Sequence, residues 1–147
     1  MTEDISWVFH GYVTPAGGRD VQDWFNSVLN EEERDEAKDM IGYLRILPLH
    51  LWMKPEYSQL GEGLSELRFK VNSLNRIYRV YGFFWPKGRR HCYTFLLGRA
   101  KKVKNAQADV AEARKRKVRV ENGKAKIHEF EFAKESDIEA PSKPAGA

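Results

Sequence analysis

The sequence predicts an α+β domain, with a small and mainly antiparallel sheet and an N-terminal helical hairpin packed on one of its faces. Three observations lead to this prediction. Apolar residues recur at helical spacing in the first third of the chain, they alternate with polar residues in the middle third, and short turns join the alternating segments. The chain has 147 residues, of which 41% are apolar, and this is enough for one hydrophobic core but not for a second one.

A strand and two helices are predicted before Pro48. Residues 5–13 alternate loosely between large apolar and smaller side chains, which is typical of a strand. The first helix is expected to have Asp20 as its N-cap, and the second to have Asn30 as its N-cap, followed by an acidic first turn. The apolar stripe of the first helix consists of Val21, Trp24, Phe25, Val28 and Leu29. The stretch 48–63 is expected to be irregular.

Three strands are predicted next, at 64–71, 76–85 and 91–99, and their short connections indicate an antiparallel meander. The whole sheet is expected to have four or five strands. Because successive side chains of a strand point to opposite faces, Arg79 is expected on one face of the sheet and Arg76 on the other. The residues expected in the core are Trp24, Phe25, Leu29, Ile41, Leu44, Leu67, Phe69, Val71, Val80 and Leu96.

The charges are unevenly distributed along the chain. Residues 1–63 contain five Lys/Arg against twelve Asp/Glu, residues 64–119 contain sixteen against three, and residues 120–147 contain four against six. A segment as basic as 64–119 is typical of a surface that binds a polyanion, and nucleic acid is the commonest polyanion in a cytoplasm. The alternative is a solvated basic face that the acidic N-terminal half of the same protein balances.

Composition also bears on compartment and cofactors. The single cysteine, Cys92, cannot form an intramolecular disulfide, and no cysteines and histidines have the spacing of a zinc site. No apolar run is long enough to span a bilayer, and the first residues lack the pattern of a signal peptide. We therefore expect a soluble cytoplasmic protein without metal or cofactor. The four histidines are scattered, and only His91, on the third strand of the meander, is an outside candidate for catalysis.

Four short blocks in the basic segment occur in an order that resembles a known family. "GLSELRFKV" leads to "NRIYRVYGFF" and then to "CYTFLLGRAKKVKNAQADVAEARKRK", over about residues 63–117. This order resembles the toxins of type II toxin–antitoxin systems of the RelE/ParE superfamily, most closely the HigB-like, phage-related branch. The resemblance implies a β-α-α start, a third strand of the meander that ends in a lysine pair, and a short helix after this last core strand. It also implies a ribosome-dependent endoribonuclease that cleaves mRNA and is neutralised by a cognate antitoxin, which we expect to be a helix-turn-helix protein.

The resemblance also assigns site residues. Arg68 stands at the arginine of the "ELR" block and Arg79 at that of "YRV", while Lys101 and Lys102 match the lysine pair. These four are the expected catalytic residues. The family often has an aromatic or apolar residue just before the lysine pair, whereas this chain has "GRA", so the choice between Lys101 and Lys102 as general base stays open. The residues expected to bind RNA are Lys70, Arg76, Arg99, Lys104, Arg89 and Arg90.

Lysine and arginine suffice for cleavage of RNA without a metal ion. The 2′-hydroxyl attacks the adjacent phosphorus, and this needs a base, a group that stabilises the charge on the phosphoryl oxygens, and an acid for the leaving oxygen. A lysine near other cations has a lowered pKa and can transfer protons, and a guanidinium binds two phosphate oxygens at once.

Two other interpretations remain open from the sequence. One is a non-catalytic ParE-like toxin that binds a protein target such as gyrase, and the other is an inactive relative that only binds RNA. For single residues, moreover, Arg68, Lys70 and Arg79 are each also explained as side chains that extend from an exposed sheet face or pair with acids of the helical half.

The C-terminal region extends beyond the resemblance. We expect the toxin-like domain to cover 1–118 and an added hairpin to cover 119–133, because Asn122-Gly123 between alternating segments is a strong signal for a type I′ turn. Residues 134–147 are low in apolar side chains and are expected to be a disordered tail.

Overall fold

The computed structural model describes residues 4–100 and 106–132, which form an α+β fold with one six-stranded sheet and three α-helices. In chain order the elements are β1 (Val8–Val13), α1 (Asp20–Asp23), α2 (Glu31–Arg45), β2 (Tyr57–Gly61), β3 (Leu64–Val71), β4 (Arg76–Phe83), β5 (Cys92–Ala100), α3 (Ala106–Glu121) and β6 (Lys126–Glu129). The strand order is β2-β3-β4-β5-β1-β6, and every neighbouring pair is antiparallel except β1 with β5. The mainly antiparallel sheet expected from the sequence is therefore confirmed.

The first of the two helices expected before Pro48 is not a regular α-helix. α1 is a single turn that continues as a π-helical turn over Trp24–Val28, and Asp20 is its first residue rather than its N-cap. α2 begins as expected, with Asn30 as N-cap. The Glu33 N–H donates to Asn30 Oδ1 at 2.8 Å, and the Asn30 N–H donates to Glu33 Oε1 at 2.7 Å. This reciprocal capping satisfies two main-chain donors at the start of the helix.

The register of the central strands fixes which side chains share a face. Leu67 lies opposite Val80 and Phe69 lies opposite Tyr78, and all four are buried in the core. The core also contains Met40, Ile41 and Leu44 of α2, which packs against β3. Of the ten residues expected in the core, all are buried except Trp24, which is only partly buried.

The stretch 48–63 contains a strand that the sequence did not reveal. β2 forms a hairpin with β3, and the turn between them has positive φ angles at Gly61, Glu62 and Gly63, of 94°, 53° and 80°. Two of these three positions are glycine, which adopts such angles without strain. The sheet consequently has six strands, where the sequence predicted four or five.

The expected C-terminal hairpin is wrong. α3 runs through to Glu121, so Asn122-Gly123 ends a helix and does not join two strands, with Gly123 at a φ of 74° and its N–H donating to the Val120 carbonyl. An Asn-Gly step serves a helix end as well as a hairpin, because both need a residue in the left-handed region. β6 instead joins the sheet beside β1, with His10 opposite Glu129. The expected tail at 134–147 lies outside the described residues.

α3 is longer than the short helix that the resemblance implied. It has 16 residues and buries Ala113 and Val120, and it packs against β3, β4 and β5. Within the ranges 4–100 and 106–132, no helix is long and apolar enough to cross a membrane.

Two histidines of the adjacent strands β1 and β6 make stability depend on pH. Burial, and then the charge of Arg89, lowers the pKa of His10, and burial, followed by the charge of Arg19, lowers that of His128. The unfolded chain takes up protons at both histidines as the pH falls below 6.5, whereas the folded chain does so only at lower pH. This contribution to stability is complete above pH 6.5 and is lost as the pH falls through the folded-state pKa values. We expect the free energy of unfolding, measured by urea titration at several pH values, to fall less steeply with acidification in His10→Gln/His128→Gln than in the wild type.

The exposed His50 provides the control for the loss of an imidazole. His50→Gln should have the pH profile of the wild type. If the free energy of unfolding fell equally steeply with pH in the wild type and in His10→Gln/His128→Gln, these two histidines would not contribute to the pH dependence of stability.

Candidate functional site

Three arginines lie side by side across the central strands. Arg68 on β3 is directly opposite Arg79 on β4, and Arg79 is directly opposite Arg99 on β5. We call these three residues the arginine row. Their side chains are 25%, 17% and 48% exposed, respectively. Like charges in directly opposite positions repel each other, so the row requires compensating groups.

Two carboxylates compensate the row. Glu66 is buried on the same face of β3, with Oε2 at 3.5 Å from Nε of Arg68 and Oε1 at 3.6 Å from Nε of Arg79. Asp109 of α3 lies 3.5 Å from Nε of Arg99. The two contacts to Glu66 are ion pairs without hydrogen-bond geometry, because Nε of Arg68 and of Arg79 are buried and have no hydrogen-bond partner in the described part of the chain. Glu66 therefore holds the two arginines electrostatically.

Arg79 lies beside a buried tyrosine, Tyr81. Burial opposes the charged form of Arg79, but a hydrogen bond with Tyr81 and the negative charges of Glu66 and Asp109 outweigh it and raise the pKa of Arg79. Burial also raises the pKa of Tyr81, although Arg79 acts in the opposite direction. At neutral pH the pair consequently consists of a guanidinium cation and a neutral hydroxyl.

The structure brings together only some of the residues that the sequence proposed. Lys70 is exposed on the face of the row, opposite Ile77. Arg76 is exposed at the start of β4 and donates to the Tyr78 hydroxyl at 3.5 Å, so it lies on the other face, as predicted. Arg89 and Arg90 lie in the connection between β4 and β5, at the end of these strands away from the arginine row. Lys101, Lys102 and Lys104 lie outside the described residues.

Much of the positive charge of α3 is engaged within the protein. The Arg116 guanidinium donates to the Leu96 carbonyl at 3.0 Å, to Glu112 at 3.0 Å and to Asp20 at 3.2 Å. Arg114 donates to the main-chain carbonyls of Leu60 and Gly61. These arginines attach α3 to the sheet and to α1. The basic sequence of 64–119 therefore overstates the charge that is available to a partner.

The sequence analysis missed Glu66, Tyr81 and Asp109 as members of the site. Glu66 was visible as an acid two residues before Arg68, on the same face of the strand. Asp109 had no such signal, because only the packing of α3 brings it to Arg99. Among the residues that the structure describes, no three His, Cys, Asp or Glu side chains are grouped to hold a metal ion.

Comparison with known proteins does not place the chain in a family. No protein-family model, no curated protein and no solved structure matches it. Its function must therefore be argued from the geometry of the arginine row and from the residues themselves.

The role of Glu66 can be tested through stability. Glu66→Gln keeps the shape of the side chain but removes the charge that holds Arg68 and Arg79 together. Since this leaves two adjacent cations without their buried counter-ion, we expect the free energy of unfolding in urea to fall by about 2–4 kcal/mol. Asp35→Asn, at an exposed acid of α2, is the matched control and should change it by less than about 0.5 kcal/mol. A Glu66→Gln protein as stable as the control would show that the ion pairs do not organise the row.

Proposed function

We propose that the chain is a RelE/ParE-type toxin of the HigB-like branch, a metal-independent, ribosome-dependent endoribonuclease that cleaves mRNA. The observation that supports this function is the arginine row. Three guanidinium groups in register on neighbouring strands are held by Glu66 and Asp109 and still reach solvent. Such an arrangement suits the negative charge of a phosphodiester, which a guanidinium binds through two oxygens.

Arg79 has the central role in this proposal. It lies between Arg68 and Arg99, and as a guanidinium it is charged at any physiological pH. Its position is fixed by Glu66 and Tyr81, so little reorganisation is needed when charge develops on the phosphoryl oxygens. Arg68 and the exposed Lys70 support the same phosphate from β3.

Proton transfer belongs to other groups. The 2′-hydroxyl attacks the phosphorus, its proton passes to a base, and the leaving 5′-oxygen receives a proton from an acid. The family resemblance assigns these steps to Lys101 or Lys102, which follow directly after β5 and hence after Arg99 in the sequence. Tyr81 is unsuited as a base, because its raised pKa keeps its hydroxyl protonated.

The same resemblance supplies the proposed biological setting. The substrate is mRNA on the ribosome in the cytoplasm, and a cognate antitoxin with a helix-turn-helix domain neutralises the protein. The finer arrangement of the fold, in which the segment 20–28 and α2 form a helical hairpin on one face of the sheet, is part of this proposal.

One observation favours the non-catalytic alternatives. Nε of Arg68 and of Arg79 both face Glu66, so part of each guanidinium is already engaged within the protein. A ParE-like toxin that binds a protein target, or a relative that only binds RNA, would need no further chemistry from these side chains. Measurements of cleavage separate these alternatives from the nuclease.

The central test replaces Arg79. Arg79→Lys keeps the positive charge but loses the two-pronged geometry, and we expect mRNA cleavage on ribosomes to slow by about 10²-fold or more. Arg79→Ala should abolish cleavage and relieve the inhibition of growth. Cleavage is measured by mapping transcript ends in cells and with purified ribosomes.

Arg19→Ala is the control, because Arg19 is exposed and precedes α1. It should cleave as the wild type does. Thermal unfolding must show that Arg79→Lys is folded. A folded Arg79→Lys protein that cleaves at the wild-type rate would contradict the assignment, and a wild type that inhibits growth without cutting RNA would favour the ParE-like alternative.

A second prediction concerns the charges that remain on α3 and after it. Lys115 and Lys124 are exposed and line an open groove together with Arg119, and neither has an ion pair in the described part of the chain. Lys115→Gln/Lys124→Gln should therefore weaken ribosome binding and lower the slope of log Kd against log salt by about 1–2. Lys38→Gln, on the acidic α2, is the control and should keep the slope. An unchanged slope in the double variant would show that these lysines face only solvent.

A further inference from the structure

A groove at the Arg99 end of β5, reaching the sheet face opposite to the arginine row, is lined by an aromatic side chain that the sequence placed in the core. Two adjoining cavities, of about 440 Å³ and about 370 Å³, share Trp24, Val28 and Arg99 in their lining. We call them together the Trp24 groove. Its apolar surface also includes Leu29, and Val28 is 69% exposed.

The main chain provides a seat for the indole of Trp24. Gly98 of β5 lies under the ring, and a Cβ atom at Gly98 would come within 2.4 Å of Trp24 Cε3. Any side chain at this position would displace the indole. The π-helical turn that begins at Trp24 adds a residue to the turn, and such turns occur often at functional sites. The ring is thus held flat against the sheet while part of it stays accessible from the groove.

The indole N–H of Trp24 differs from those of two buried tryptophans. Trp7 donates to the Leu47 carbonyl at 2.8 Å, and Trp52 donates to the Leu44 carbonyl at 3.0 Å. Over 4–100 and 106–132, no acceptor is found for Trp24. A partly exposed indole placed in a groove can stack on a flat ligand and donate its N–H to it.

The charges of the groove indicate what it can accept. Its lining contains three arginines and four carboxylates, namely Arg76, Arg99, Arg116, Asp20, Asp23, Glu33 and Asp109. Asp20 and Asp109 are paired with Arg116 and Arg99, and Glu33 accepts from the Tyr78 hydroxyl. The charges of the groove therefore largely cancel, and it suits a neutral, planar group. A nucleobase has this chemistry, and bases of single-stranded RNA commonly stack on aromatic side chains.

Arg99 connects the groove to the arginine row. It is opposite Arg79 in the row, and it also lines both cavities of the groove. Gly98, under the indole, is opposite Val80 and so faces the other side of the sheet from Arg79. A strand of RNA that contacts both surfaces would therefore pass around the end of β5 at Arg99, with a phosphate at the row and a base in the groove. We propose that the Trp24 groove binds a nucleobase of single-stranded RNA by stacking on Trp24. This inference rests on the proposed function, since it takes RNA as the ligand of the row.

Photochemical crosslinking tests the proposal on the wild-type protein. The full chain is mixed with a short single-stranded RNA that contains 5-iodouridine, both free and bound to ribosomes, and is irradiated. Cleavage at Arg19 and Arg34 releases residues 20–34 as one tryptic peptide, which contains Trp24 and no other tryptophan. We expect the RNA adduct on Trp24 in this peptide. Adducts only on other peptides, or on none, would overturn the proposal.

Two variants test the energetic contribution of the ring. Trp24→Ala should weaken binding of the RNA about 5- to 150-fold, which corresponds to about 1–3 kcal/mol for one stacked base. Trp24→Phe should bind within about threefold of the wild type, since it keeps a ring that can stack. Trp85→Ala is the matched control, because Trp85 is also partly buried but stacks on Phe83, outside the groove. It should bind as the wild type does.

An RNA with an abasic site at the crosslinked position completes the test. Its affinity should be about equal for the wild type and Trp24→Ala, because there is no base left to stack. If thermal unfolding shows that Trp24→Ala is not folded, the proposal is tested on the wild type alone, by the crosslink and by its affinity for the abasic RNA. Equal wild-type affinity for the abasic and intact RNA would overturn the proposal and favour a protein partner as the occupant of the groove.

The outcome for Arg79 separates this inference from the proposed function. Loss of cleavage in Arg79→Ala together with unchanged RNA binding in Trp24→Ala would overturn the stacking site and leave the nuclease standing. Failure of the wild type to bind RNA, free or on ribosomes, would overturn both.

Discussion

The candidate site depends on the ion pairs that the buried carboxylate of Glu66 forms with Arg68 and Arg79. Two arginines in directly opposite positions, each only partly exposed, would repel each other and resist burial without a counter-ion. Glu66 lies within 3.6 Å of both and allows them to share one face of the sheet. The opposite face fixes their register, because a shift of β3 against β4 by one residue would turn Arg68 into the core and Leu67 out of it. Core packing and site geometry are therefore consequences of one strand register.

The acidic and basic parts of the sequence form ion pairs with each other in the fold. Arg116, from the basic part of the chain, bridges to Asp20 in the acidic part and to the main chain of β5. Asp109, one of the few acids of the basic segment, is used to compensate Arg99. The positive charge left for a polyanion is consequently smaller than composition suggests. It lies at the arginine row, at Lys70 and Arg76, at Lys87 and Arg89 in the connection between β4 and β5, and on the outer side of α3.

The neighbourhood of Arg99 joins two chemically different surfaces. On one side are cations that suit phosphate, and on the other is a groove with an indole and several carboxylates that suits a neutral ring. Local backbone features shape the groove. Gly98 leaves space for the ring of Trp24, and Val28, at the end of the π-helical turn, is exposed to solvent. A larger residue than glycine at position 98 of β5 would clash with the ring of Trp24 and displace it from the groove.

The sequence by itself determined the helical period of α2, the alternation of β3, β4 and β5, the cap at Asn30, nine of the ten expected core residues and the opposite faces of Arg76 and Arg79, because these follow from local geometry and side-chain alternation. Only the tertiary structure decided the rest. β2 carries little apolar alternation, β6 pairs with a strand more than a hundred residues away in the chain, and the Asn-Gly step suits a helix end as well as a hairpin. Likewise, Glu66 was visible as a charge on a strand, but its burial between two arginines, like the contact of Asp109 with Arg99, depends on how separate elements pack. Sequence periodicity assigns a side chain to a face, whereas only long-range packing determines which charge it meets there.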